Sequence, residues 1–83
     1  MAFRLLIDLE VLEILQALPR GRRIKILQHL RKLQESPEHY SDYKDQDALG
    51  RRVDVAVYEG WAIFYWTDHA DRQIKILQMV TAD

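Results

Sequence analysis

Residues 52–66 read RVDVAVYEGWAIFYW, and this stretch decides the fold. From Arg52 to Tyr58 valine occupies every second position, which is the period of a β-strand with two different faces. Glu59-Gly60 then predicts a tight turn, and the aromatic run from Trp61 to Trp66 predicts a second strand. The stretch is therefore expected to form a β-hairpin.

Patterns on both sides of the hairpin extend it into a small α+β domain. Two amphipathic segments joined by a Pro-Arg-Gly turn predict two helices, the first capped by Asp8, and the polar segment 38–50 is expected to be a loop. The predicted elements are a strand at 3–7, helices at 9–18 and 22–34, and strands at 52–58, 61–66 and 73–80. The order β-α-α-β-β-β describes one domain, residues 1–83, with an N-terminal helix hairpin packed on an antiparallel-rich sheet.

Composition limits the classes of function. The chain has 83 residues, of which 48% are hydrophobic, and no apolar run reaches the length of about 20 residues that a membrane helix needs. Cysteine is absent, which excludes disulfides and thiolate metal sites and is in keeping with a cytoplasmic location. A net charge of −1 argues against strong nonspecific nucleic-acid binding. No zinc, calcium or phosphate-loop spacing is present, so no metal or cofactor is expected.

The predicted sheet is apolar on both faces. On the aromatic strand Trp61, Ile63 and Tyr65 point one way, and the residues between them point the other way. Two helices can cover only one face, so the second face is expected to bind a partner. The predicted partner interface comprises Ala62, Phe64, Trp66, Leu77 and Met79. The alternative is that segment 38–50 folds over this face.

Three motifs in their order resemble the RelE/ParE superfamily of toxins. They are the helix end Leu33-Gln34-Glu35-Ser36-Pro37, the strand start Gly50-Arg51-Arg52-Val53, and the hairpin strand Gly60-Trp61-Ala62-Ile63-Phe64-Tyr65. The resemblance covers essentially the whole chain. It implies a toxin of a type II toxin–antitoxin pair, as used in plasmid stabilisation, neutralised by a cognate antitoxin. RelE-like members cleave mRNA on the ribosome, whereas ParE-like members inhibit DNA gyrase.

The chain departs from the RelE-like nucleases at their catalytic positions. Ala62 stands where they have an arginine, and an ungapped match puts Val53 and Val55 at their basic positions. A shift of one residue in the turn would instead present Arg52 and Asp54. If the chain is an active nuclease, the candidate catalytic residues are Arg51, Arg52, Tyr65 and His69. Pairing of the two arginines with the acidic residues of segment 42–47, and a core position for Tyr65, are the structural alternatives.

One further feature is a basic stripe on the second helix. It consists of Arg22, Lys25, His29 and Lys32, which share one face at helical spacing. This stripe is a candidate contact for nucleic acid or for an acidic partner, and a solvated helix face is the alternative. Three hypotheses stay open: a toxin that acts by protein binding or weakened RNA cleavage, a noncatalytic homodimeric module, and an active ribosome-dependent nuclease.

Overall fold

The computed structural model describes residues 3–82, which form two helices packed on one face of a five-stranded sheet. The elements are β1 (Arg4–Ile7), α1 (Leu9–Ala17), α2 (Arg20–Glu35), β2 (Tyr43–Gln46), β3 (Arg52–Tyr58), β4 (Trp61–Asp68) and β5 (Gln73–Thr81). The strand order is β1-β5-β4-β3-β2, and β1 pairs with β5 in parallel while the other described pairs are antiparallel. The predicted α+β fold is confirmed.

The helix hairpin forms where local signals place it. The Asp8 carboxylate accepts a hydrogen bond from the Glu10 backbone N–H at 3.0 Å and so caps α1. Leu18 and Pro19 separate the two helices, and α2 ends before Pro37. Each helix buries one apolar stripe against the sheet. These stripes include Leu15 of α1 and Leu30 of α2.

The turn between β3 and β4 fixes which side chains face the helices. Glu59 and Gly60 both have positive φ, 51° and 80°, as the two central residues of a type I′ turn require. Tyr58 therefore pairs with Trp61, and Asp54 pairs with Tyr65 on the helix side of the sheet. The valines of β3 lie on the opposite surface, which we call the open face. The turn has no extra residue, so Val53 and Val55, and not Arg52 and Asp54, lie on the open face.

A β-bulge in β5 corrects one predicted position. Phe64 pairs with Gln78 and Tyr65 pairs with Ile76, so Leu77 is an extra residue without a partner in β4. The extra residue reverses the alternation of side chains that follow it. Met79 therefore lies opposite Ile63 in the core on the helix side, with only 2% of its surface exposed. The prediction that Met79 belongs to the partner interface is wrong for this reason.

Segment 38–50 is more ordered than a loop. Its residues 43–46 form the edge strand β2, and Tyr43 pairs with Val55. The Asp42 carboxylate also accepts a hydrogen bond from the Val57 backbone N–H at 2.6 Å. Beside this strand Val53 and Val55 are buried, so the segment shields one margin of the open face but leaves its centre uncovered.

Candidate functional site

The open face presents a partly exposed apolar surface. Val57 is 44% exposed and Val80 is 37% exposed, and both lie beside the half-buried Phe64. Leu77, at the bulge, lines a shallow groove with Leu6 of β1. The predicted interface residues Phe64, Trp66 and Leu77 thus lie at this accessible surface. Ala62 has the correct orientation but is only 5% exposed, so it supports the surface rather than forming it.

Trp66 on the open face lies between two cations. The Arg51 guanidinium lies 5.4 Å from the centre of its ring, and the Lys75 ammonium lies 5.0 Å from it. Arg51 also forms an ion pair with Asp47 at 2.8 Å, as the structural alternative for this arginine anticipated. Lys75 lies 3.9 Å from Asp68. Each cation therefore already has a carboxylate neighbour, and the ring is held in place by both.

The four candidate catalytic residues do not form one site. Arg51 lies on the open face, whereas Arg52 and His69 lie behind the sheet. Tyr65 is fully buried, and its hydroxyl donates a hydrogen bond to the Pro37 backbone carbonyl. Burial, followed by the negative charge of Asp54, raises the pKa of this hydroxyl. The catalytic assignment of Tyr65 is corrected: the residue anchors the end of α2 to the sheet.

Arg52 and His69 instead line a polar cleft on the helix side, beyond the end of α2. The cleft has a volume of about 200 Å³, and its other polar side chains are Glu38, Lys44, Asp54 and Thr67. Asp54 accepts a hydrogen bond from the Ser41 hydroxyl at 2.7 Å and forms an ion pair with Lys44 at 2.6 Å. The sequence did not single out Lys44, Asp54 or Thr67 as site residues. The available signal was Asp54 itself, an acid between valines within a strand.

The basic stripe of α2 is divided by the structure. His29 is half-buried, and its ring stacks on Tyr58 with centroids 4.2 Å apart and planes 2° apart. Burial, followed by the positive charge of Lys32, lowers the pKa of His29. Lys25 lies 3.8 Å from Glu59, while Arg22 and Lys32 are exposed. The stripe is thus three solvated cations around a packed histidine.

Comparison with solved structures identifies the class of fold. The chain superposes on the archaeal RelE–RelB complex structure from Pyrococcus horikoshii OT3 with a TM-score of 0.79 and 24% sequence identity, covering 98% of this chain and 96% of that one. A mutant of the E. coli toxin RelE in the free state matches with a TM-score of 0.68 and 19% identity, covering 100% and 86%. No family model and no curated protein matches the sequence.

These superpositions show that the chain has the fold of the RelE toxins, and they confirm at the level of the fold the resemblance inferred from the sequence. Within residues 3–82 neither helix is long and apolar enough to cross a membrane. Within the same range no three His, Asp or Glu side chains are grouped to hold a metal ion.

Proposed function

We propose that the chain is the toxin-like component of a type II toxin–antitoxin system, and that it acts by binding a protein target through its open face. A cognate antitoxin neutralises it by covering the same domain. Of the two targets that the family resemblance implies, DNA gyrase is favoured over mRNA. The match to RelE, in one case as part of a RelE–RelB complex, supports the toxin-like class and the antitoxin partner.

The observation that carries the proposal is the chemistry of the open face. Val53, Val55 and Ala62 stand at the positions where the resemblance places the basic residues of RelE-like nucleases. Metal-free RNA cleavage needs a base, an acid and a cation to stabilise the phosphorane charge. Of the cations at this face, Arg51 and Lys75 lie against Trp66 and carboxylates, and the exposed Arg4 lies at the β1 edge. An apolar surface with an aromatic side chain is typical of a protein interface.

Growth measurements test the proposal. Induction of the chain alone should arrest bacterial growth, and the double variant Val57→Lys, Val80→Lys should relieve the arrest because it places charges in the apolar contact. Ile24→Lys on α2 is the matched control, since Ile24 is 42% exposed and lies on a helix. This control should remain toxic. Both variants should keep the wild-type circular dichroism spectrum.

Two measurements on arrested cells then distinguish a protein target from mRNA. Intact mRNA ends with altered plasmid supercoiling support the protein-binding proposal, and new ribosome-dependent mRNA ends contradict it. Unimpeded growth with the wild-type chain, at a verified level of soluble protein, removes the toxin function. A stable dimer that the two lysines dissociate would then support the noncatalytic homodimeric module.

A further inference from the structure

The polar cleft behind the sheet contains charged groups that have no role in the fold. Within residues 3–82 the side chains of Glu38 and Arg52 make no hydrogen bond or ion pair, and His69 makes only an edge contact with the Phe3 ring. Arginine left without a carboxylate or an aromatic partner in a concave site is available to a ligand. Its planar fork matches the oxygens of a phosphate group.

The second cation of the cleft is placed by a buried carboxylate. Lys44 of β2 and Asp54 of β3 pair across the sheet, and the Asp54 side chain is 11% exposed while Lys44 is 52% exposed. Both Lys44 and Ser41 bind the same carboxylate oxygen, Oδ1. Within the described residues Oδ2 has no donor, so the cleft offers one hydrogen-bond acceptor beside two cations.

Thr67 adds a hydroxyl that the fold leaves unsatisfied. Its Oγ1 atom is buried and has no hydrogen-bond partner in the described part of the chain. An unmade hydrogen bond of this kind is destabilising, because the hydroxyl loses its contact with water and gains no partner. Thr67 lines the cleft. A ligand that supplies the missing partner would remove this cost.

We infer that this cleft is a binding site for a phosphate group that retains one proton, either inorganic phosphate or a small phosphate monoester. Arg52 and Lys44 bind the charged oxygens, and Thr67 binds through its hydroxyl. The phosphate O–H donates to Oδ2 of Asp54, which as a carboxylate can only accept. Glu38 also lines the cleft, and its negative charge disfavours anions of higher charge. The polar groups of the site lie on the helix side of the sheet, while Val53 and Trp66 of the open face also line the cleft. The inference does not rest on the proposed function.

The acceptor at Asp54 makes the inference specific. Sulfate has the same shape as phosphate but no proton at neutral pH, so it places an oxygen lone pair against the Asp54 carboxylate. We expect calorimetric titration of the full chain at matched ionic strength to show phosphate binding and at least about tenfold weaker sulfate binding, the loss of one charge-assisted hydrogen bond. Asp54→Asn should bring the two affinities together because an amide can donate to sulfate.

Three variants separate the site from general effects of charge. Arg52→Gln should weaken phosphate binding about ten- to hundredfold, since it removes charge-assisted bonds. Arg51→Gln is the matched control on the open face and should leave the affinity unchanged. Thr67→Val should weaken binding without lowering the melting temperature, because the hydroxyl that it removes has no partner in the free protein. The phosphate affinity and the melting temperature of Thr67→Val can be measured whether or not Asp54→Asn folds.

Two ligands distinguish the source of the phosphate group. The second pKa of phosphate esters is about 6, so a nucleoside 5′-monophosphate should bind more tightly at pH 6 than at pH 8 if the cleft accepts esters. Binding of inorganic phosphate alone would assign the site to the free ion. Equal affinity for phosphate and sulfate in the wild type, or an Arg52→Gln affinity equal to that of Arg51→Gln, would overturn the inference. Neither result would bear on the growth experiments.

Discussion

His29 shows how one residue couples packing to pH. Its ring lies flat on Tyr58 and meets the edge of Tyr40, with ring centroids 5.8 Å apart. Burial and the charge of Lys32 lower its pKa, while the charge of Asp42 acts in the opposite direction. The folded state therefore keeps the imidazole neutral at pH values where the unfolded chain, with a pKa of about 6.5, already binds a proton.

The sign of the resulting pH dependence follows from linkage. Below about pH 6.5 the unfolded state binds more protons at this position, so the free energy of unfolding should fall as the pH drops toward the lowered pKa of His29. His29→Phe keeps an aromatic ring against Tyr58 but cannot titrate. Urea unfolding at about pH 7.5 and pH 5.5 should show a smaller loss of stability for this variant than for the wild type. Equal losses would show that His29 does not contribute.

Tyr65 is expected to act on stability rather than on chemistry. Tyr65→Phe removes the hydroxyl that donates to the Pro37 carbonyl and leaves that buried acceptor unpaired, which should cost about 1–3 kcal/mol. Denaturant unfolding measures this cost. In growth assays at a temperature where both proteins are folded, the variant should arrest cells as the wild type does. A variant with wild-type stability and no toxicity would restore the catalytic assignment.

At the scale of elements, the sequence predicted what local rules control. The cap at Asp8, the stop before Pro37 and the turn at Glu59-Gly60 each depend on a few neighbouring residues, and the structure has all three. Strand β2 was missed because its residues Tyr43–Gln46 carry no apolar alternation and are all exposed. An edge strand of this kind is held by pairing with β3, which a single segment does not reveal.

The bulge at Leu77 also could not be predicted from the sequence alone. Ile74, Ile76, Leu77 and Met79 read as an apolar strand in either register, and only the pairing with β4 shows which residue is extra. The sequence also grouped candidate catalytic residues that the fold separates. Arg51 and Arg52 are neighbours in sequence, yet the sheet sends one to the open face and the other into the cleft.

The bulge predicts an unusual pair of deletion phenotypes in β5. Removing Leu77 leaves Phe64 opposite Gln78 and Ile63 opposite Met79, so the ladder becomes regular and the core keeps its residues. This variant should fold, with a loss of about 1–2 kcal/mol from local packing. Removing Lys75 instead joins Ile74 to Ile76 and turns one isoleucine out of the core, so this variant should be unfolded. Circular dichroism and urea unfolding compare the two, and equal stabilities would exclude the assigned bulge.

For the molecule as a whole, the accessible surface indicates a protomer that is complete by itself. It measures 5535 Å², and the scaling for monomeric proteins gives about 5,200 Å² for a mass of 9.9 kDa. The helices and three strands share one core that includes Leu15, Leu30 and Ile63, so we expect the chain to fold without a second copy. We therefore expect the open face to be a surface for a separable partner rather than half of an obligate core.

The purified chain should accordingly be a monomer at dilute and moderate concentrations, as measured by light scattering after size exclusion. The apolar open face and the 37–44% exposure of Val80 and Val57 make weak self-association at the highest concentrations the expected departure. Val57→Lys with Val80→Lys should remove that association, and Ile24→Lys should not. One contrary outcome is a wild-type dimer that persists on dilution and yet is split by the double lysine variant. This result would show that the open face binds a second copy of the chain and not a foreign target. The same dimer retained by both variants would show that the chain associates through a surface other than the open face, which would count against docking there.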